Sequence, residues 1–156
     1  MRGLLTIFAI AVFAPGALAC TCGPPPNPAL AFASNSLIFR GTVTKRVDRA
    51  NFLRRTWAHL QELIGAPEFT LEADAKSLGF LVEFEVQRVW RGTRERRIKL
   101  FTGRGNGDCG VPFEVGRQYL VYGRCDADGD CYTFFCGRTR PIEYAAEDLR
   151  YLASKR

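Results

Sequence analysis

Cysteine is the residue type whose number and spacing carry the most chemistry in this sequence. There are six cysteines, and two of them form the pattern Cys20-Thr21-Cys22. Free thiols at this spacing would hold a metal ion or take part in redox chemistry, whereas oxidised thiols would form disulfides. Six oxidised cysteines make three disulfides, and counting alone leaves fifteen connectivities open. The compartment to which the chain is sent decides between the two chemistries.

The other side chains give no support to catalysis. The sequence holds a single histidine, His59, which argues against a catalytic zinc site built by the protein itself and against a Ser-His-Asp triad. No nucleophile–base pair and no carboxylate dyad stands out. His59 lies among predicted helical residues, so we expect it to be exposed and assign it no role. We therefore expect a protein that is not an enzyme, with no cofactor and no intrinsic metal.

Residues 1–19 have the pattern of a secretory signal peptide. Arg2 gives a positive start, a short apolar run follows, and Ala19 is one of two small residues that a signal peptidase reads. The apolar run is too short to cross a bilayer with ease. We predict cleavage after Ala19, so that the mature domain is 20–156 and begins at Cys20. Export makes the protein secreted, periplasmic or bound to the cell surface, and it favours disulfides over free thiols.

Lipidation is an alternative fate for the same terminus. Lipoprotein signals place a cysteine directly after the cleavage site and usually carry leucine three residues before it. Here Ala17 holds that place and Leu18 follows it. A lipid anchor at Cys20 is therefore the less favoured alternative, and it would use both the amino group and the sulfur of that residue.

The elements that must position these cysteines have mostly the patterns of β-strands. At 156 residues, with 47% apolar and 24% charged side chains, the chain has the size and composition of one globular domain, which excludes wholesale disorder and a polytopic membrane protein. Five segments are rich in β-branched and aromatic residues or alternate apolar with polar side chains. These segments are 37–44, 80–90, 97–101, 118–122 and 132–135.

Two helices are predicted around these strands. Leu53, Trp57 and Ile64 are spaced to lie on one face of a helix within 46–79, a stretch that is typical of an insertion between the first two strands. The second helix is 144–153. Short strands in one small exported domain predict a mainly β fold, a five-stranded OB barrel with a helix in the loop after the first strand, a C-terminal helix and disulfide staples.

The residues around the cysteines resemble a known family. Cys20-Thr21-Cys22-Gly23-Pro24-Pro25 at a predicted mature N-terminus is similar to the start of the tissue inhibitors of metalloproteinases, whose inhibitory domain is a netrin-like OB barrel. Further matches share the cysteine-and-strand order of the same domain: Cys109-Gly110, Phe113, Gly116, Tyr119-Leu120-Val121 and Cys136. Two more segments look like bacterial members of the family, 39–43 and 89–92. The resemblance spans most of 20–152.

The resemblance also implies a disulfide pairing. The implied pairs are Cys20–Cys109, Cys22–Cys136 and Cys125–Cys131. A bridge between Cys20 and Cys22 is not expected, because it would be badly strained relative to ordinary Cα separations in disulfides. The two long bridges would pin the N-terminal segment to the barrel and would each stabilise the fold by roughly 4–5 kcal/mol in a chain-entropy estimate.

The resemblance implies that the pinned N-terminus binds the catalytic zinc of another protein. Catalytic zinc in metalloproteases keeps one position open, and an α-amino group with a pKa of about 7.7–8.0 is sufficiently neutral near physiological pH to occupy it. The resemblance implies that Cys20 donates its amino nitrogen and carbonyl oxygen to the zinc of a target protease and displaces the water there. Thr21 would project into the neighbouring substrate pocket. The implied function is a secreted metalloendopeptidase inhibitor whose partner is a zinc metalloprotease.

Three departures from the family keep a second function open. Ala33 stands where the family begins its third long disulfide, the sequence shows no second cysteine-rich domain, and the 46–79 insertion replaces a loop that often contacts the protease. The alternative is a non-inhibitory extracellular OB module with a binding or structural role, lipid-anchored at Cys20 in one version. The two functions differ in whether the amino group of Cys20 is free.

Basic residues crowd the region 88–104. The chain has a net charge of +6, and seven of its cations fall here: Arg88, Arg91, Arg94, Arg96, Arg97, Lys99 and Arg104. The favoured interpretation is a solvated basic face, and the sharper alternative is a surface that binds an acidic glycan or an anionic membrane. OB barrels also bind single-stranded nucleic acid, but export makes such a partner unexpected.

The acidic loop 126–130 superficially suggests calcium. It lacks the spacing of an EF-hand loop and the downstream glutamate that completes one. We therefore predict a hairpin turn closed by the flanking disulfide between Cys125 and Cys131.

Overall fold

Six strands and two helices account for the regular structure of the residues that the computed structural model describes, namely 21–49, 79–105 and 108–155. In chain order the elements are α1 (Pro28–Ser34), β1 (Leu37–Asp48), β2 (Phe80–Arg91), β3 (Arg97–Thr102), β4 (Gln118–Cys125), β5 (Cys131–Tyr132), β6 (Arg140–Pro141), a 3-10 turn (Ile142–Tyr144) and α2 (Ala146–Ala153).

The strands close into a barrel. β1 pairs antiparallel with both β2 and β4, and β2 pairs antiparallel with β3. β5 completes the ring, because it pairs parallel with β3 and antiparallel with β4. β6 adds a short pair to β4 outside the ring. The predicted mainly β fold, a five-stranded barrel of the OB type with a C-terminal helix and disulfide staples, is confirmed.

The barrel interior is filled by the inward side chains of the alternating strands and by an aromatic cluster. Phe39, Phe84, Phe113 and Tyr119 are all buried. Successive rings meet edge to face, with centroids 5.2 Å apart for Phe39 and Phe84, 5.1 Å for Phe84 and Phe113, and 4.8 Å for Phe113 and Tyr119. Burial of each such ring is worth roughly 1.5–3 kcal/mol, so this cluster is a main source of barrel stability.

A second apolar cluster holds the two helices against the outer face of β1 and β4. Ile38, Leu120 and Tyr122 point outward from these strands and are buried under Ala31 of α1 and Leu152 of α2. Side chains alternate between the two faces of a strand. The inward side chains of β1 and β4 therefore pack in the barrel core, and the outward ones pack under the helices. The helices are therefore part of the fold rather than appendages.

The fifth strand is shorter than predicted. β5 ends at Tyr132, and the chain then leaves the sheet, so that Phe134 and Phe135 lie in a turn with more than half of each side chain exposed. The turn forms because Thr133 Oγ1 donates to the carbonyl oxygen of Tyr122 at 2.9 Å and the N–H of Phe135 donates to Cys109 at 2.7 Å. The aromatic content of 132–135 predicted a strand that local hydrogen bonds interrupt.

Two predicted boundaries also move. β1 runs to Asp48, past the predicted start of the 46–79 insertion, because 45–48 pair with β2. α2 begins at Ala146 rather than at Tyr144, since Tyr144 ends a 3-10 turn and Ala145 is the N-cap of the helix.

Several predictions fall outside the described residues. These are the signal peptide at 1–19, the role of Cys20, the helix carrying Leu53, Trp57 and Ile64, and the exposure of His59. They stay predictions.

Candidate functional site

The N-terminal strap, residues 21–27, has neither helix nor strand structure. Thr21, predicted to enter a protease pocket, is exposed, and the chain stays exposed as far as Pro25. Prolines at 24–26 fix φ at about −65° and offer no N–H, so the strap is stiff and does not join a ladder. It ends at Asn27, whose side chain accepts a hydrogen bond from the N–H of Leu30 at 2.9 Å and caps α1.

A disulfide ties the exposed end of the strap to the barrel. Cys22 is bonded to Cys136, with 5.1 Å between their Cα atoms, as the resemblance implied. Cys109 is also disulfide-bonded, and its sulfur lies 3.7 Å from that of Cys136. Cys20, the partner that the resemblance gives to Cys109, lies outside the described residues. Cys109 and Cys136 are therefore neighbours. The implied pairing requires this, because their partners Cys20 and Cys22 are only two residues apart.

Cys109 is held in an uncommon backbone conformation. Its φ is 56°, and it is the one non-glycine residue with a positive φ in the described part of the chain. The left-handed region costs a side-chain-bearing residue of order 1–3 kcal/mol, and it persists where the surroundings determine it. Here the carbonyl of Cys109 accepts from Phe135, and Asp108 binds the loop around it, so the cysteine is aimed by its neighbours.

Asp108 organises the loop that carries Cys109. Its carboxylate accepts from the backbone N–H groups of Arg104 at 2.6 Å, Gly105 at 2.7 Å and Gly110 at 3.3 Å. Partial burial acts to raise the pKa of Asp108, but these backbone donors outweigh it and hold the pKa below its ordinary value. The carboxylate thus fixes the loop in its charged form.

A second attachment holds the other end of the strap. Arg138 is 4% exposed and donates from a terminal nitrogen to the carbonyl oxygen of Pro26 at 2.9 Å. Its remaining donors bind Asp148 of α2, at 2.5 Å and 2.9 Å, and Glu147. The hydrogen bond to Asp148 raises the pKa of Arg138 although burial opposes the charge, so this guanidinium is always cationic.

Asp148 connects the strap attachment to the barrel wall. It is fully buried and also accepts a hydrogen bond from the hydroxyl of Tyr122 at 2.9 Å. Burial, and then the neighbouring Asp148 carboxylate, raise the pKa of Tyr122, which keeps the hydroxyl protonated as a donor. Strap, C-terminal helix and β4 are therefore joined through one buried carboxylate.

Large apolar side chains surround the strap in solvent. A shallow groove runs between the strap and the barrel and is lined by Cys22, Pro25, Phe135 and Tyr144 among others. Phe135 is 59% exposed and Tyr144 is 68% exposed. Exposed aromatic rings next to a rigid segment are typical of a surface that another protein covers.

The predicted basic region is divided among several roles. Arg91 donates to the carbonyl oxygens of Phe32, Ala33 and Asn35 at 2.6, 3.3 and 3.1 Å, and so binds the end of α1. It thereby attaches the C-terminal end of α1, next to Ala33, to β2.

Other cations of the region also have partners. Lys99 pairs with Glu83 at 3.5 Å, and Arg104 pairs with Asp48. Arg94 and Arg96 are exposed in the connection from β2 to β3. The seven cations are therefore not one equivalent surface.

The acidic loop forms the predicted hairpin. Cys125 and Cys131 are bonded, and the N–H of Asp126 donates to the carbonyl of Asp130 at 2.9 Å. One carboxylate oxygen of Asp126 accepts from the N–H groups of Asp128 and Asp130 at 3.1 and 2.9 Å. Among the described residues, no group of three or more His, Cys, Asp or Glu side chains is arranged to hold a metal ion.

The disulfides indicate an oxidising compartment outside the cytosol. In the described ranges, no helix has the length and apolar character needed to cross a membrane.

No protein-family model matches the chain, and no curated protein shows significant sequence similarity to it. The strap and the groove are the features of the described residues that indicate a function.

Sequence reasoning missed Arg138, Asp148 and Tyr122, which carry the second attachment. An aspartate in the first turn of a helix has an ordinary role beside the positive end of the helix dipole, so Asp148 gave no signal of burial. Arg138, two residues after Cys136, was not distinguishable from the other cations of a basic chain.

Proposed function

We propose that this protein inhibits zinc metalloproteases by presenting its N-terminal residue to the catalytic zinc. The observation that carries the proposal is a strap that is exposed from Thr21 to Pro25 yet fixed at two points, by the Cys22–Cys136 disulfide and by Arg138 on the carbonyl of Pro26. This segment is held rigid in solvent.

Rigid exposure is what zinc chelation by a chain terminus needs. The amino nitrogen and carbonyl oxygen of a mature Cys20 would fill the position that the protease keeps open for water. Because the strap is held in place before binding, little conformational entropy is lost when the complex forms. Thr21, which is exposed, would enter the pocket beside the zinc.

The groove rings supply a contact surface in this proposal. Phe135 and Tyr144 flank the strap, and covering such a ring with a partner removes enough apolar area to contribute roughly 1.5–3 kcal/mol. Because zinc metalloproteases share the metal that is chelated, these rings would add selectivity among them.

The test compares three forms of the mature chain against a panel of zinc metalloproteases. These are residues 20–156 with a native Cys20 terminus, the same chain with one added alanine before Cys20, and Thr21→Gly. We expect the native form to inhibit at least one enzyme and the extended form to be weaker by about 100-fold or more, which is about 2.7 kcal/mol. Thermal unfolding of the three forms should nearly coincide.

Equal inhibition by the native and extended forms would overturn zinc chelation. An acyl group on Cys20 in the intact mass of the protein from its native host would do the same. Absence of inhibition across the panel, with all three forms folded, would favour the non-inhibitory extracellular OB module.

A further inference from the structure

Two buried donors on the outer face of the barrel have no acceptor. Arg40 Nε in β1 and Trp90 Nε1 in β2 are both shielded from solvent, and neither makes a hydrogen bond within the described part of the chain. A buried N–H without an acceptor destabilises the fold, and such groups are rare in native proteins. Two of them on adjacent strands call for a common explanation.

The sheet register places Arg40 in a row of cations. Arg40 lies opposite Arg88 on β2 and opposite Leu120 on β4, and Leu120 lies opposite Arg140 on β6. Residues directly opposite each other share a face of the sheet. The row therefore carries three arginines and one leucine on the outer face.

Trp90 belongs to the same patch. It lies two residues after Arg88 on β2, so the two side chains share a face, and the guanidinium of Arg88 lies 4.9 Å from the centroid of its indole ring. Arg88 is exposed, whereas Arg40 and Trp90 are partly buried. An exposed cation thus covers the ring whose N–H lacks an acceptor.

The neighbouring carboxylates are already engaged elsewhere. Glu143 of the 3-10 turn pairs with Arg117, and the two acids of α2, Glu147 and Asp148, pair with Arg138. Glu85, the acid of β2 nearest to the row, lies opposite Thr42 on β1 and Arg97 on β3 rather than opposite Arg40. In the described ranges, no ion pair involves Arg40, Arg88 or Arg140.

We propose that the outer face formed by Arg40, Arg88 and Trp90 is a binding site for a phosphate group. A phosphate accepts several hydrogen bonds at once, and the planar guanidinium of arginine matches its geometry. The two arginines would neutralise the charge, and Trp90 Nε1 would donate a further hydrogen bond. Arg88 swings from the indole ring to admit the ligand. The site is independent of the strap and of the proposed inhibition.

Trp90 is itself the reporter for the first experiment. The sequence has two tryptophans, so a Trp57→Phe chain leaves Trp90 as the only one. Inorganic phosphate is titrated into this protein at constant ionic strength, with chloride as the balancing anion, and Trp90 fluorescence is recorded. We expect a saturable change, because phosphate displaces Arg88 from the ring. A change that never saturates, or one that chloride reproduces, would overturn the site.

Variants separate a built site from general positive charge. Arg40→Gln removes one charge and one of the two orphaned donors, whereas Arg96→Gln removes one charge from the exposed connection between β2 and β3. We expect Arg40→Gln to weaken phosphate binding by tenfold or more and Arg96→Gln by less than twofold. Arg88→Gln, at an exposed position, gives the same test if Arg40→Gln does not fold. Equal effects at the site and control positions would overturn the proposal.

The source of the phosphate is read from vesicles. Phosphatidylcholine vesicles with and without phosphatidylglycerol are sedimented with the native and Arg40→Gln proteins. Sedimentation that depends on phosphatidylglycerol and on Arg40 assigns the site to a lipid headgroup. Saturable phosphate binding without sedimentation assigns it to a soluble phosphate compound. Sedimentation that Arg40→Gln and Arg96→Gln reduce equally contradicts a defined site at Arg40.

Discussion

The strap and the β4–β5 hairpin each carry a disulfide, but only the hairpin is built to close without one. In the hairpin, Asp126 collects the N–H groups of Asp128 and Asp130, and the strands pair up to Cys125 and Cys131. The strap has three prolines and depends on two attachments made by side chains far away in sequence. The hairpin disulfide therefore reinforces a turn that backbone hydrogen bonds already form, whereas the strap disulfide is one of the two contacts that hold the strap in place.

The chain-entropy model expresses the same difference as free energy. The disulfide of the strap joins residues 114 apart, and the disulfide of the hairpin joins residues 6 apart. Closing loops of these sizes restricts the unfolded chain by about 5 and about 2 kcal/mol, respectively. Removal of each disulfide in turn is therefore the most direct way to test the comparison.

The largest effect is expected from the double variant Cys22→Ser, Cys136→Ser. The free energy of unfolding should fall by up to about 5 kcal/mol, because the long loop is no longer closed in the unfolded state. The proposed inhibition should also be lost, since the strap is then held at one described attachment only. Urea denaturation and a protease assay measure the two effects. Full inhibition with reduced stability would show that the disulfide serves the fold alone.

The second effect tests the attachment that contains no disulfide. Arg138→Met leaves Asp148 buried without its ion-pair partner, and removal of one member of a buried pair typically costs about 3–5 kcal/mol. Arg138→Met combined with Asp148→Leu should recover part of this loss, because no unpaired charge remains buried, while the Tyr122 hydroxyl loses its acceptor. Thermal and urea unfolding of the single and double variants measures the difference. Equal stability of the two variants would contradict a penalty for the unpaired charge of Asp148.

These two attachments also show what the sequence was able to predict. The alternation of Val82 and Phe84 with polar residues identified a barrel strand, since one side of the sheet is buried. The family resemblance supplied the Cys22–Cys136 pair, which the structure contains. Local sequence patterns were therefore sufficient to predict the barrel, and the cysteine motifs were sufficient to predict the first attachment.

The second attachment was not predictable, because it depends on three residues brought together by the fold. Arg138, Asp148 and the carbonyl of Pro26 are far apart in the sequence, and each has a common local role. For the same reason the two orphaned donors on β1 and β2 have no sequence signature. The opposite error occurred at Phe134 and Phe135. Their β propensity predicted a strand, but the chain leaves the sheet after Tyr132 and turns toward Cys136.

A smaller effect is expected when the hairpin loses its disulfide. Cys125→Ser with Cys131→Ser should lower the free energy of unfolding by about 2 kcal/mol and should leave inhibition unchanged. The backbone hydrogen bonds of Asp126 keep the hairpin closed, and this hairpin is not among the residues that line the groove. Urea denaturation and the same protease assay apply. Loss of inhibition in this variant would contradict the separation of the two regions.

The smallest effect is the pH dependence of stability that comes from Asp108 in the loop that carries Cys109. The pKa of Asp108 is lower in the folded protein than its ordinary value of 3.8, so the folded state favours the charged carboxylate. Its contribution is therefore fully present above that ordinary value and disappears as the pH falls through the lower folded-state pKa. Because the side chain is largely exposed, solvent screens the effect to about 1 kcal/mol or less.

Asp108→Asn tests this contribution directly. The variant should be less stable than the native protein at pH 7, and the difference should shrink as the pH falls below the ordinary pKa of an aspartate. Asp128→Asn, which changes an exposed loop aspartate of the hairpin, is the matched control and should show no such convergence. Thermal unfolding from pH 2 to pH 7 measures both. If the stability difference stays constant across this range, the charge of the Asp108 carboxylate does not stabilise the Cys109 loop. The variant would then be less stable for a reason that does not depend on ionisation.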